Sequence, residues 1–95
     1  MPAKDKTYTV TGKVRIFPQE GGWVYLPIPQ KYADIGIEPP KWGLVPARIT
    51  IGETTWEKSL LPMGDGTLFI ALNAKVRKAE QIHIGDTVTA TFVLI

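Results

Sequence analysis

Residues 68–95, LFIALNAKVRKAEQIHIGDTVTATFVLI, read as strand, short helix, Gly-Asp turn and strand, and residues 17–51 read as a weaker copy of the same plan. A shift of 44 positions places Phe17-Pro18 on Leu61-Pro62, Gly22 on Gly66 and Lys31 on Lys75. The same shift places Val24, Tyr25, Leu26 and Ile28 on Leu68, Phe69, Ile70 and Leu72. With one residue of adjustment, Val45, Ala47, Ile49 and Ile51 fall on Val88, Ala90, Phe92 and Leu94. Each unit then runs strand, turn, strand, short helix, loop, strand. An internal repeat of this kind bears on the whole fold before any local detail does. Two such units in one chain imply an internal pseudo-twofold, which a homodimer would obtain from two copies. A monomer is therefore expected rather than an obligate dimer.

The strands are read from alternation. Tyr8, Val10, Val14 and Ile16 share one face of a first strand, with Thr9, Thr11, Lys13 and Arg15 opposite. A period of two with β-branched residues means a half-buried strand. Gly12 falls on the apolar face, at a bulge or a close crossing of backbones. Residues 18–22, PQEGG, form a hairpin turn. Residues 23–28 are apolar on both faces, so burial on both sides is expected. Pro27 marks a strand end or edge, and Pro29 suits the first turn of a short helix over residues 30–35. Residues 38–43, EPPKWG, form a rigid irregular loop.

Val45, Ala47, Ile49 and Ile51 line one face of the third strand, with Pro46 compatible with an edge. Gly52-Glu53 is a two-residue hairpin signature, and Trp56, Lys58 and Leu60 alternate with Thr55, Glu57 and Ser59 on the return. Residues 62–66, PMGDG, make another turn before a fifth strand over residues 67–72. Asn73 is an N-cap for a helix over residues 74–81, with Val76 and Ala79 inward and Lys75, Lys78 and Glu80 outward. Gly85-Asp86 turns the chain into a closing strand with Val88, Ala90, Phe92 and Leu94 on one face. The expected fold is all-β: a six-stranded barrel, closed or partly split, with one or two short helices, because closure removes exposed strand edges.

Ninety-five residues fit a single domain, with residues 1–6 flexible, a first half over residues 7–51 and a second over residues 54–95. The absence of cysteine excludes disulfides, thiolate metal sites and cysteine nucleophiles. No apolar run reaches the roughly 18 residues that span a bilayer. The N-terminal MPAKDK has no apolar segment behind its charges, so a cytoplasmic protein without a signal peptide is expected. A net charge of +2 is too small to identify a dedicated nucleic-acid binder.

Residues 72–77 and 82–88 resemble the swapped-hairpin pattern of AbrB, MazE and MraZ-type proteins, in which a strand enters a Pro-started helix and a Gly-Asp turn leads into the next strand. The first unit keeps Pro29 but has Gly43-Leu44 in place of Gly-Asp. The second keeps Gly85-Asp86 but has Asn73 in place of Pro. A resemblance covering nearly the whole chain is carried by Gly12-Lys13-Val14, Gly21-Gly22-Trp23, Ile28-Pro29, Trp42-Gly43, Val45-Pro46-Ala47 and Ile51-Gly52-Glu53-Thr54-Thr55-Trp56. It continues through Ser59-Leu60-Leu61-Pro62, Lys75-Val76-Arg77-Lys78-Ala79 and Gly85-Asp86-Thr87-Val88. These residues are similar to the family called domain of unknown function 1905. The resemblance implies a small double-split β-barrel and assigns no activity. Some members carry this domain beside a bacteriocin-protection-type domain. The present chain is expected to be the barrel alone.

The residues do not assemble a catalytic set, and no enzyme activity or cofactor is expected. His83 is the only histidine, and metal sites need several convergent ligands. Ser59 is the only serine; it lies mid-strand on the polar face beside Glu57, with no sharp glycine elbow around it. Glu53, Glu57, Asp65 and Asp86 lie near turns or on a polar face and read as solubility charges. The glycine turns lack the helix and the Gly-Lys-Ser/Thr ending of a phosphate loop. Two surfaces remain. One joins Trp42, Tyr32 and Lys41 in and beside the irregular loop, suited to a protein or small-molecule ligand. Trp23 and Trp56 are expected to pack over the barrel ends. The other surface comprises Lys13, Arg15, Arg48, Lys75, Arg77 and Lys78, which would meet phosphates if the AbrB-like plan carried DNA binding. The leading expectation is a non-catalytic binding or scaffold domain, with DNA binding as its main rival.

Overall fold

The computed structural model describes residues 7–18, 22–31 and 45–95. Tyr32, Lys41 and Trp42 lie outside the described residues, as does the irregular loop over residues 38–43. The described elements, in chain order, are β1 (Thr7–Lys13), β2 (Arg15–Ile16), β3 (Val24–Lys31), β4 (Val45–Ile51), β5 (Thr54–Pro62), β6 (Thr67–Ala71), α1 (Ala74–Glu80) and β7 (Thr87–Leu94). All strand pairs are antiparallel, and the strand order is β1-β7-β4-β5-β6-β3-β2.

Seven strands appear where six were expected because the first one divides at Val14. Residues 7–13 pair with β7, and residues 15–16 pair with β3. At the joint, the Val14 N–H donates to the Asp86 carbonyl at 2.8 Å, and the Gly85 N–H donates back to the Val14 carbonyl at 2.8 Å. One run of chain thus occupies both ends of the strand order. The sheet curls into a nearly closed barrel, with few strand edges left open. Asp86 also accepts the His83 N–H on its carboxylate, and Gly85 holds φ at 94°, so the Gly-Asp turn is built to meet Val14.

Exchanging β1–β2 with β5, β3 with β6 and β4 with β7 leaves every neighbour relation intact. In the β3–β6 ladder Leu26 stands opposite Ile70, the residue 44 positions on. In the β4–β7 ladder Ile49 stands opposite Phe92, the residue 43 positions on. The other ladders do not follow the shift: Arg15 and Leu61, not Arg15 and Ser59, hold corresponding places opposite Tyr25 and Phe69.

The core gathers the apolar faces predicted from alternation. Val45, Ala47, Ile49 and Ile51 are all buried, as are Ala90 and Phe92, with Val88 and Leu94 packed at the margin. Leu26, Ile49, Leu60, Leu68, Ile70 and Val14 are the largest side chains fully excluded from water. Each such Leu or Ile contributes about 1.5–3 kcal/mol by leaving water. A second apolar group lies outside this cluster. Phe17 stacks on Tyr25 with centroids 4.1 Å apart, and Phe69 meets both rings edge-on at 5.2 and 5.4 Å.

Several local expectations are corrected. Ile16 is 46% exposed, because the bend at Val14 takes it off the inward face of β1. Pro27 does not end its strand; β3 runs on to Lys31. It is tolerated because β2 leaves β3 after Tyr25, so Pro27 has a ladder partner only in β6. Pro29 starts no helix but sits where the β3–β6 register shifts between Ile28 and Lys31. Pro46 lies on a central strand, one residue before the β7 ladder begins at Ala47. Ala79 is exposed, and only Val76 of α1 is buried. Asn73 caps that helix as predicted: its Oδ1 accepts the Val76 N–H at 2.9 Å.

Candidate functional site: a groove beside α1

Where β3 and α1 begin lies a groove of about 390 Å³, lined by Trp23, Lys58, Asn73 and Arg77 over a floor that includes Val24, Ala71 and Leu72. Trp23 is 55% exposed, against the expectation that it packs over a barrel end. Its backbone carbonyl accepts the Phe17 N–H at 3.1 Å, which closes the hairpin and leaves the indole outside the alternation of β3. Trp56, by contrast, packs on the core as expected.

Arg77 is held in place by its own stem. Its Nε donates to the Leu72 carbonyl at 3.0 Å, which leaves the Nη groups without a partner among the described residues. Lys58 shares strand parity with the partly buried Trp56 and the buried Leu60, yet it is exposed and lines the groove. A lysine at an inward parity is the sequence signal that would have pointed here. The signal for Trp23 is weaker: it precedes the first residue of its strand, where alternation no longer dictates burial.

Two shallower troughs adjoin. One runs along α1 and is lined by Arg77, Lys78 and His83; the next, at the β1–β2 bend, is lined by Lys13, Arg15, Ile16 and Ile84. Among the described residues, no Asp or Glu lines any of the three. Of the six cations proposed from sequence, four therefore line these hollows. Lys75 is exposed on α1 but lines none of these hollows. Arg48 is removed from them, its guanidinium donating to the Glu57 carboxylate at 2.8 Å.

Three other polar residues, His83, Glu80 and Asp65, have structural partners. His83 is exposed and lies 3.5 Å from Asp86 across a short turn. Glu80 accepts the Thr54 hydroxyl at 2.6 Å, which ties α1 to the β4–β5 hairpin. Asp65 accepts the Thr67 N–H at 2.9 Å within its own turn. Among the described residues, no group of three or more His, Asp or Glu side chains is arranged to hold a metal ion. No helix among them is long and apolar enough to cross a membrane.

The architecture is that of a small, nearly closed β-barrel with one short helix laid beside an open groove. The chain belongs to the family described as a domain of unknown function, DUF1905, whose model matches residues 11–92. A search of curated proteins finds no match to it.

Proposed function

We propose that the protein is a non-catalytic cytoplasmic binding domain, and that the groove beside α1 takes an anionic ligand with a planar ring. One observation carries this reading: an exposed indole, Trp23, shares a hollow with two cations, Lys58 and Arg77, that have no ion-pair partner among the described residues. A half-exposed tryptophan at the mouth of a concavity offers a face for stacking. A guanidinium anchored through Nε presents its Nη groups to an anion in a fixed geometry. The apolar floor favours the ring over a bare ion. Duplex-DNA binding of AbrB type has less support, because Arg48 is engaged by Glu57 and Lys75 lines none of the three hollows.

The test is a titration followed by tryptophan emission, with a nucleoside monophosphate as ring-bearing anion and inorganic phosphate as control. The ring-bearing anion is expected to change the emission. Trp23→Leu should abolish the change and Lys58→Ala should weaken binding, while the melting temperature stays put. An equal response to both anions, or an unaltered response in Trp23→Leu, would refute the reading.

A further inference from the structure

We infer that the groove is one end of a continuous track for single-stranded nucleic acid; this rests on the reading of the groove above and extends it to a polymer. The first hollow and the trough along α1 share Arg77, and that trough ends at His83, next to Ile84 of the third. The first two therefore join at Arg77, and the third begins one residue further along the chain. Along them stand Lys58, Arg77, Lys78, Lys13 and Arg15, with no carboxylate among the described lining residues. None of these five is ion-paired among the described residues; Arg48, which is, lies off the track. A row of unpaired cations on a chain of only +2 net charge is a local concentration rather than a general surface property.

The spacing of aromatic and apolar groups favours a flexible strand over a duplex. Trp23 is exposed at one end, and Ile16 and Ile84 are exposed at the other. Unstacked bases can lie on such faces while their phosphates reach the cations. A duplex keeps its bases inside the stack and would leave all three apolar groups without a partner. A peptide of acidic residues alone would satisfy the cations but offers no ring to Trp23.

The experiment is fluorescence anisotropy with labelled oligothymidylates of about three, six and twelve nucleotides, a range that small single-strand-binding barrels occlude. A duplex of the same length and polyglutamate serve as competitors. Affinity should rise with length. Five phosphate contacts predict a fall of about a hundredfold between about 50 and 200 mM salt for a single strand. Trp23→Ala should weaken binding by about tenfold. Lys13→Ala/Arg15→Ala should weaken the twelve-mer and leave a mononucleotide unaffected, and Arg48→Ala should change neither. All four side chains lie outside the core, and a thermal melt of each variant verifies its fold. A mononucleotide that binds as tightly as the twelve-mer, or a silent Lys13→Ala/Arg15→Ala, overturns the track and leaves the single groove standing. A preference for duplex, or displacement by polyglutamate at equal charge concentration, overturns it in favour of those partners. Binding of neither mononucleotide nor oligomer at about 50 mM salt removes both readings.

Discussion

Leu26 lies directly opposite Ile70 in the β3–β6 ladder, and both side chains are completely buried. The pair sits where β3 from the first part of the chain meets β6 from the second. Removing either side chain opens a cavity at the same seam. Leu26→Ala and Ile70→Ala are each expected to cost about 2–5 kcal/mol, and to cost similar amounts. Urea denaturation checks this. A difference of more than about 2 kcal/mol between them would mean that the seam packs asymmetrically.

Gly52 and Glu80 form a second coupled pair. Gly52 turns the β4–β5 hairpin with φ at 58°, and a Cβ placed there would overlap the Glu80 carboxylate. Gly52→Ala therefore meets backbone strain and displaces Glu80 from Thr54. It should destabilise by about 1–3 kcal/mol. Gly52→Ala/Glu80→Ala should cost less than the sum of the two single changes, since the overlap disappears with the carboxylate. Additive costs in a double-mutant cycle would show that the two do not interact.

The cap of α1 gives a smaller effect. Asn73→Ala leaves the Val76 N–H without its side-chain acceptor and should cost about 1 kcal/mol. Asn73→Asp should retain most of that stability, because it restores an acceptor at the same place. A thermal melt of both variants decides the matter: equal loss in both would assign the effect to the groove wall rather than to the cap.

Arg48 and Glu57 form the shortest ion pair among the described residues, at 2.8 Å, with side chains 53% and 56% exposed. Water screens such a pair, and its coupling energy should fall between about 0.2 and 1 kcal/mol. A double-mutant cycle at low and high salt measures it. A coupling that survives about 1 M salt would be inconsistent with a screened surface contact.

The strand order also bears on assembly. A chain whose first run of residues supplies both ends of the order, β1 and β2, needs no second copy to complete it. Light scattering is expected to give the mass of one chain at micromolar concentration, and a concentration-dependent melting temperature would contradict this.

Much of the barrel was legible in the sequence because strand burial follows a period of two. Val45, Ala47, Ile49 and Ile51 alternate in the sequence and are buried in the fold without exception. Asn73 announced the helix start and Gly52-Glu53 the tight hairpin. These are local or periodic relations, and the chain carries them in its residue order.

What the tertiary structure alone decided depends on where the sheet bends. The division of the first strand at Val14 follows from hydrogen bonds to Gly85 and Asp86, more than seventy residues away. That bend exposes Ile16 and lays Lys13 and Arg15 in a hollow with Ile84 and Gly85. The groove has the same origin: Trp23, Lys58 and Arg77 come from three separate segments, and no spacing in the sequence relates them. Alternation states which side of a strand a residue takes. Only closure of the barrel determines which of those sides meet water, and which distant side chains then share a hollow.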